Sequence, residues 1–275
     1  MGSAERHARI KDWNAWGLSW NMVSPPTRGT AAAHQFFKVW ANTNFLMAYT
    51  IKLAATFTKV LENARVHKQK YPDAKMDPGE PSDPTPLDDF GRHRQLFCEM
   101  LYCRHVDNYQ SYLTALLMEV FQQRPELLRS KRQVSVEMIL DLPSREDLIR
   151  AVAETQVHDL SYEPFEKLRR YFDERGIFIA SDEDASVIVE AIETRNIAVH
   201  NNCVINQRYL ARVKCNQDRI GKTREIDVGA LERLAILFGD LVGEIDARAA
   251  AKLKLPQHGF AIDPTFDEER TVRAP

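Results

Sequence analysis

The longest uninterrupted helical pattern of the sequence runs from Thr30 to Gln69 and contains neither glycine nor proline. One face repeats at a spacing of three or four residues, through Phe37, Trp40, Asn44, Met47, Ile51, Ala54, Thr58 and Leu61. Thr30 supplies a side-chain oxygen suited to capping the helix start. At about 1.5 Å per residue such a helix approaches ~60 Å in length. Because this exceeds a small helical bundle, the pattern predicts either a break in the helix or a role in contacts between molecules.

Most of the remaining sequence also has helical spacing. Residues 72–91 are rich in proline and aspartate, so a linker is predicted there. Further helices are predicted at 92–123, 144–160, 161–174, 181–202 and 227–252, and only Ile177 to Ala180 resembles a short strand. An all-α fold is therefore expected. The predicted organisation is a tryptophan-containing arm at 1–29, the long helix at 30–71, the linker at 72–91, a helical domain at 92–253 and a flexible tail at 254–275.

The composition argues against several classes of protein. Lys and Arg number 37 against 39 Asp and Glu, so the net charge of −2 gives no overall attraction for nucleic acid. The four cysteines lack the spacing of a disulfide framework, and no leader or membrane-spanning stretch is recognised, so a cytoplasmic protein without membrane contact is expected. Zinc-ligand spacings and phosphate-binding glycine loops are not found either. Neither a metal nor another cofactor is expected, and an ATPase or kinase is disfavoured.

The helix predicted from Ser181 changes character along its length. Steps of four residues connect apolar positions in its first half with Asn196 and His200 in its second half, and Arg195 lies beside them. Burying such groups without partners costs roughly 1 to 3 kcal/mol each, which favours an interface, a cleft or a satisfied network. A lone His or Arg at such a position is more often a structural residue than a catalyst. The neighbouring polar groups favour a functional site.

The motif Arg195-Asn196-x-x-x-His200 resembles the Arg-polar-x-x-x-His signature of the HEPN (higher eukaryotes and prokaryotes nucleotide-binding) family. The surroundings are also similar: FQQRPELL, then SYEPFEKLRRYF, then the acid-started helix with the motif, then HNNCVINQRYL. The resemblance implies an up-and-down HEPN-type bundle at 92–253, to which the long N-terminal helix is an addition. It also implies a homodimer in which two motifs share one cleft, and a ribonuclease that needs no metal.

Family members that are nucleases use the ribose 2′-hydroxyl as nucleophile and leave a cyclic phosphate. The residue types suit this chemistry. An imidazole such as that of His200 can exchange protons near neutral pH. The planar, charged guanidinium of Arg195 can bind a phosphorane-like transition state. Asn196 can orient the imidazole or a phosphate oxygen. HEPN toxins silenced by a nucleotidyltransferase antitoxin carry a Tyr two residues after the His, where this chain has Asn202. Adenylylation at that position is excluded.

Two further features lie outside the motif. Basic residues follow it, and Arg208, Arg212 and Lys214 are candidates for binding the RNA backbone. A solvated loop explains these charges equally well. Trp13, Trp16 and Trp20 are spaced as one stripe of a short helix, which is expected to dock on the protein's own core rather than on a partner.

Three hypotheses follow from the sequence. The first is a homodimeric, metal-independent HEPN endoribonuclease with Arg195, Asn196 and His200 as catalytic residues, acting as a toxin or antiviral-defence effector that a regulatory or antitoxin protein restrains. The second is a non-catalytic HEPN module that binds a nucleotide or RNA, or that dimerises. The third is a helical scaffold in which the motif is a structural network and the tryptophan arm or the long helix recruits a partner.

Overall fold

The computed structural model describes residues 25–80, 82–128, 134–214 and 217–259, apart from the side chains of Met138 and Leu140. Residues 1–24 of the predicted arm, with its three tryptophans, lie outside the described residues. So does the predicted tail beyond residue 259.

The fold is all-α, as the sequence predicts. The helices are α1 (Ala31–Lys70), α2 (Pro86–Gln123), α3 (Val136–Asp141), α4 (Arg145–Ser161), α5 (Phe165–Glu174), α6 (Asp182–Asn201), α7 (Gln207–Val213) and α8 (Val228–Leu253). Single 3-10 turns lie at Pro125–Leu128 and Gln217–Arg219. The strands β1 (Arg28–Gly29) and β2 (His258–Gly259) pair antiparallel. Within the described ranges, no helix is both long enough and apolar enough to cross a membrane.

Helix α1 runs for 40 residues without the break that its length suggested. The predicted cap is confirmed, because the Thr30 hydroxyl accepts a hydrogen bond from the backbone N–H of Ala33. The backbone N–H and the hydroxyl of Thr30 also donate to the buried carboxylate of Asp246 on α8, at 3.0 and 2.6 Å. The first helix is therefore fixed at its start to the last helix.

The N-terminal half of α1 belongs to the main core. Phe36, Phe37 and Trp40 are buried there, and the indole N–H of Trp40 donates to the carbonyl of Ala235 on α8 at 2.8 Å. A side chain on Gly239 would meet the same indole at 3.2 Å, so a glycine lets α8 approach closely. The long helix and the predicted domain 92–253 thus share one core.

Helix α2 begins at Pro86, inside the segment predicted to be a linker. Thr85 and Asp88 form a capping box, and Pro86 stands at the first helical position, where its missing N–H costs nothing. The amide of Leu87 donates to Thr58 and the Asn108 side chain donates to the carbonyl of Phe36, so α1 and α2 run antiparallel.

Helix α6 starts and ends as its sequence indicates. Ser181 caps the start, and Asn202 adopts the left-handed conformation, with φ 48°, that ends the helix. The segment from Ile177 to Ala180, the one stretch whose sequence resembles a short strand, pairs with no strand of the described chain. After α6, the chain continues through α7, and an antiparallel bridge between Val204 and Thr223 joins the two ends of this segment.

Candidate functional site

Arg195, Asn196 and His200 occupy the last two turns of α6, which is the exposed end of that helix. In the preceding turns, the side chains of Ile188 and Ala191 are buried in the core. In the last two turns Ile197 is still buried, in a second cluster with Tyr209 and Leu210 of α7. The change from apolar to polar residues therefore lies on the side of α6 where Arg195 and Asn196 are partly exposed and His200 is exposed.

Arg195 is joined to α2 by an ion pair that the sequence did not predict. Its Nε donates to the Asp107 carboxylate at 2.8 Å, and the two side chains are 28% and 42% exposed. Its Nη1 lies 3.4 Å from the Asn196 oxygen, a weak hydrogen bond, and its Nη2 donates to no group of the described chain. Asp107 therefore holds the guanidinium by one edge and leaves the other edge available.

Asn196 belongs to a second small network. Its amide nitrogen lies 3.4 Å from the carboxylate of Glu193, which is 7% exposed and is also 3.7 Å from Nε of Arg208 on α7. The sequence analysis did not name Glu193 as part of the site. Its only sequence signal is an acidic residue two positions before the arginine.

His200 is exposed and makes no hydrogen bond or ion pair with the described residues. An imidazole in this state is free to meet a substrate. In contrast, His105 is 1% exposed, and burial lowers the pKa of its imidazole to about 3. His105 therefore stays neutral inside the fold and is not a candidate for acid–base chemistry.

Arg195 and His200 do not converge tightly within one chain. A separation of five residues corresponds to a rise of about 7.5 Å and a turn of about 140° around the helix axis. Both groups were predicted on one side of the helix, but they diverge by this angle. Asn196 lies between them. A single copy therefore presents its cation and its imidazole on different faces of the helix, about 140° apart.

An exposed apolar surface adjoins the motif. Leu96 and Met100 on α2 are 59% and 64% exposed, and they precede Asp107 at helical spacing on one face. Val199, beside His200, is 52% exposed. We call Leu96, Met100 and Val199 the motif rim. Three large exposed apolar side chains near one polar motif are typical of an interaction surface.

The predicted RNA-binding residues lie on or next to α7. Arg208 reaches the motif network through Glu193, whereas Arg212 approaches Glu166 of α5 at 3.8 Å. Lys214 ends α7 in the left-handed conformation and is exposed. Of the three, Arg208 is the one that described contacts join to the motif, through Glu193.

The segment that follows α6 is held to it by one partly buried and one buried polar contact. Arg224 donates to Glu190 at 3.1 Å, and the hydroxyls of Tyr209 and Thr194 are 3.3 Å apart. Burial raises the pKa of the Tyr209 hydroxyl, so it remains protonated and can act as a donor. Arg224 is thus a structural member of the basic segment and is not free for a substrate.

The fold and the site define an all-α protein that presents an Arg-Asn-x-x-x-His motif at the exposed end of one helix. Comparison with protein-family models, with curated proteins and with solved structures found no match.

Proposed function

We propose that this chain is a metal-independent endoribonuclease of HEPN type, which acts as a homodimer. The observation that carries the proposal is the exposed imidazole of His200, which has no partner among the described residues, on the same helix as a partly exposed Arg195 that is paired with Asp107. A role as a toxin or antiviral-defence effector rests on the family resemblance alone. A toxic nuclease needs restraint, so a regulatory partner belongs to the proposal.

In the proposed reaction, one imidazole removes the proton from a ribose 2′-hydroxyl and the resulting oxygen attacks the adjacent phosphorus. The bond from phosphorus to the 5′-oxygen breaks, and the leaving oxygen receives a proton from an imidazolium. The products are a 2′,3′-cyclic phosphate and a 5′-hydroxyl. An imidazole suits both proton transfers because it exchanges protons near neutral pH.

Arg195 is proposed to stabilise the negative charge that develops on the phosphate oxygens. A guanidinium remains charged and can present two N–H groups to two oxygens at once. The contact to Asp107 uses Nε, and among the described residues only the Asn196 oxygen, at 3.4 Å, accepts from a terminal nitrogen. Arg208, next to the same network, is proposed to contact the RNA backbone, with Arg212 and Lys214 further along the same surface.

The dimer is supported by the separation of the Arg195 guanidinium from the His200 imidazole within one copy. Arg195 and His200 diverge around α6, whereas two facing copies bring the arginine of one chain towards the histidine of the other. The motif rim supplies exposed apolar area where such a contact would form. Two-fold symmetric contacts use the same patch on both partners, so a patch beside the motif places both motifs at one interface.

The test is cleavage of total cellular RNA in EDTA by purified wild type and His200→Ala, with analysis of the product ends. Cyclic-phosphate ends from the wild type alone are the expected result. His158→Ala is a matched control, because this imidazole is 69% exposed and lies on α4, away from the motif. Absence of cleavage by a folded, dimeric wild type would contradict the proposal. Equal cleavage by wild type and His200→Ala would remove His200 from the mechanism.

One observation favours the non-catalytic alternative. The pair between Arg195 and Asp107 links α6 to α2, as expected for a motif that only stabilises the fold or the dimer. In that case Arg195→Ala lowers thermal stability or dimer mass, and no RNA is cleaved by any variant. Nucleotide binding by the wild type without cleavage would select a binding module.

A further inference from the structure

Glu193 is a buried acidic residue on the helix that carries the motif. The residue is 7% exposed, and its Oε2 lies 3.4 Å from the side-chain nitrogen of Asn196 and 3.7 Å from Nε of Arg208. Taking a carboxylate out of water is costly unless it is paired at close range, and an apolar residue in such a place is often neutral or stabilising. Both contacts of Glu193 are longer than a strong charge-assisted hydrogen bond. Its contribution to the stability of the fold is therefore small.

The two neighbours of the Asn196 side chain determine which way its carboxamide points. The carboxylate of Glu193 only accepts hydrogen bonds, and the guanidinium of Arg195 only donates them. The carboxamide nitrogen must therefore face Glu193, and the carboxamide oxygen must face Nη1 of Arg195, which lies at 3.4 Å. The opposite orientation would place two donors together on one side and two acceptors together on the other. Glu193 thus selects the orientation in which Asn196 offers an acceptor to Arg195.

The Arg195 guanidinium is restrained at two of its three nitrogens. Asp107 accepts from Nε at 2.8 Å, and Asn196 accepts from Nη1. A single hydrogen bond at Nε fixes one point of the group, whereas a second one at Nη1 also restrains its plane. Donors that are positioned in advance stabilise developing charge without reorganising during the reaction. The contact from Asn196 therefore contributes to the orientation that the proposed reaction needs.

We propose that Glu193 is a positioning residue, which orients the Asn196 carboxamide so that its oxygen restrains the Arg195 guanidinium. This inference rests on the proposed ribonuclease activity. It gives Asn196 a role towards Arg195 rather than towards the imidazole of His200, because both ends of the carboxamide are already engaged. Glu193 itself touches neither the RNA nor the reacting atoms.

The first test compares thermal stability and RNA cleavage in the wild type and Glu193→Met. Methionine is similar in length to glutamate and offers no oxygen to Asn196, and Arg208, whose side chain is 72% exposed, remains hydrated without its partner. The Tm should therefore be unchanged or raised. The kcat for cyclic-phosphate formation should fall on the order of 10-fold with an unchanged KM, because Arg195 acts on charge that develops only in the transition state. A wild-type kcat in the folded variant would overturn the proposal, as would a fall in Tm large enough to unfold it under the assay conditions.

Glu190→Gln is the matched control. Glu190 also lies on α6, three residues before Glu193, and it is also paired with an arginine of the following segment, Arg224 at 3.1 Å. Glu190→Gln should leave kcat unchanged even where it lowers Tm. Glu193→Gln keeps a carbonyl oxygen for the Asn196 nitrogen, so it should be more active than Glu193→Met. Equal losses of kcat in Glu190→Gln and Glu193→Met would overturn the proposal, and so would a Glu193→Gln variant no more active than Glu193→Met.

NMR of the Asn196 carboxamide tests the same hydrogen bond without any activity. In protein with isotope-labelled asparagine, the side-chain signals that disappear in Asn196→Asp belong to this residue. They should shift in Glu193→Met and stay in place in Glu190→Gln. RNA cleavage by the wild type with unshifted signals in Glu193→Met would refute this inference alone. Shifted signals without any cleavage by the wild type would refute the proposed ribonuclease and the positioning role with it, and would leave the hydrogen bond as a structural one.

Discussion

The ion pair between Arg195 and Asp107 allows the catalytic and the structural interpretations to be separated by one substitution, Asp107→Asn. Both partners are partly exposed, so solvent screens the pair and we expect a loss of only about 0.2 to 1 kcal/mol in the free energy of unfolding. For a chain of this size this corresponds to a fall of a few degrees at most, on the order of 2 °C, in Tm. The expected loss of RNA cleavage is far larger, on the order of 100-fold, because misplacing a charge-stabilising group by about 1 Å costs that much.

The measurements are thermal unfolding by circular dichroism and the initial rate of cyclic-phosphate formation. Asp89→Asn is the matched control, since Asp89 makes an exposed ion pair with Arg92 on the same helix and lies far from the motif in sequence. It should change neither quantity appreciably. A loss of several kcal/mol in the free energy of unfolding of Asp107→Asn would refute the reasoning, because the ion pair would then be a major contributor to the stability of the fold. Cleavage at the wild-type rate in a stable Asp107→Asn variant would show that Asp107 does not position Arg195.

Three further predictions concern the stability of the fold. Burial raises the pKa of the Asp246 carboxyl above 3.8, although Thr30 donates hydrogen bonds to it. The native state therefore binds this proton more tightly than the unfolded chain does. The stability that results is lost as the pH rises from the unfolded pKa of Asp246 to its native pKa. Urea unfolding at several pH values should show this slope in the difference between wild type and Asp246→Asn, and a flat difference would contradict it. Trp40→Phe removes the hydrogen bond to Ala235 and part of the ring, and should cost about 1 to 3 kcal/mol in urea unfolding; an unchanged midpoint would argue against this contact. Asn202→Ala places a Cβ-bearing residue without a polar side chain in the left-handed conformation and should cost about 1 kcal/mol, whereas Asn202→Gly should cost nothing; the reverse order in thermal unfolding would contradict the described cap.

The helix ends were predictable because the signals are local. Thr30, Ser144, Ser181 and Asp227 each accept a hydrogen bond from a backbone N–H three residues later, and this depends only on the residue type and its position. The left-handed Asn202 follows from the same kind of local preference.

The errors also have local causes. The prolines of 72–91 were treated as helix breakers, although Pro86 stands at the one helical position where a proline costs nothing. Helix α7 is only seven residues long, too short for a periodic pattern to identify, and its sole strong signal is the Asn206 cap. The two strands are only two residues long, so they carry no alternating pattern. Their pairing joins segments that are distant in sequence, which no local signal indicates.

The site was predictable only in part. The motif was visible because its three residues lie within six positions of one helix. Asp107 is 88 residues away from Arg195, and no spacing rule relates an aspartate on one helix to an arginine on another. The divergence of Arg195 and His200 follows from helix geometry, but whether those faces are buried or exposed depends on the packing of α2 and α7 around α6.

The attachment of α1 to α8 has a consequence for the order in which the chain is made. Thr30 and its partner Asp246 are 216 residues apart. At a synthesis rate of about 5 to 20 residues per second, roughly 10 to 40 seconds separate the two residues on the ribosome. During that interval Phe37 and Trp40 have emerged without α8 to cover them, and the motif helix is already complete. The finished fold is therefore reached only after α8 has been synthesised. A chain terminated before α8 lacks the helix that binds Thr30 and covers Phe37 and Trp40.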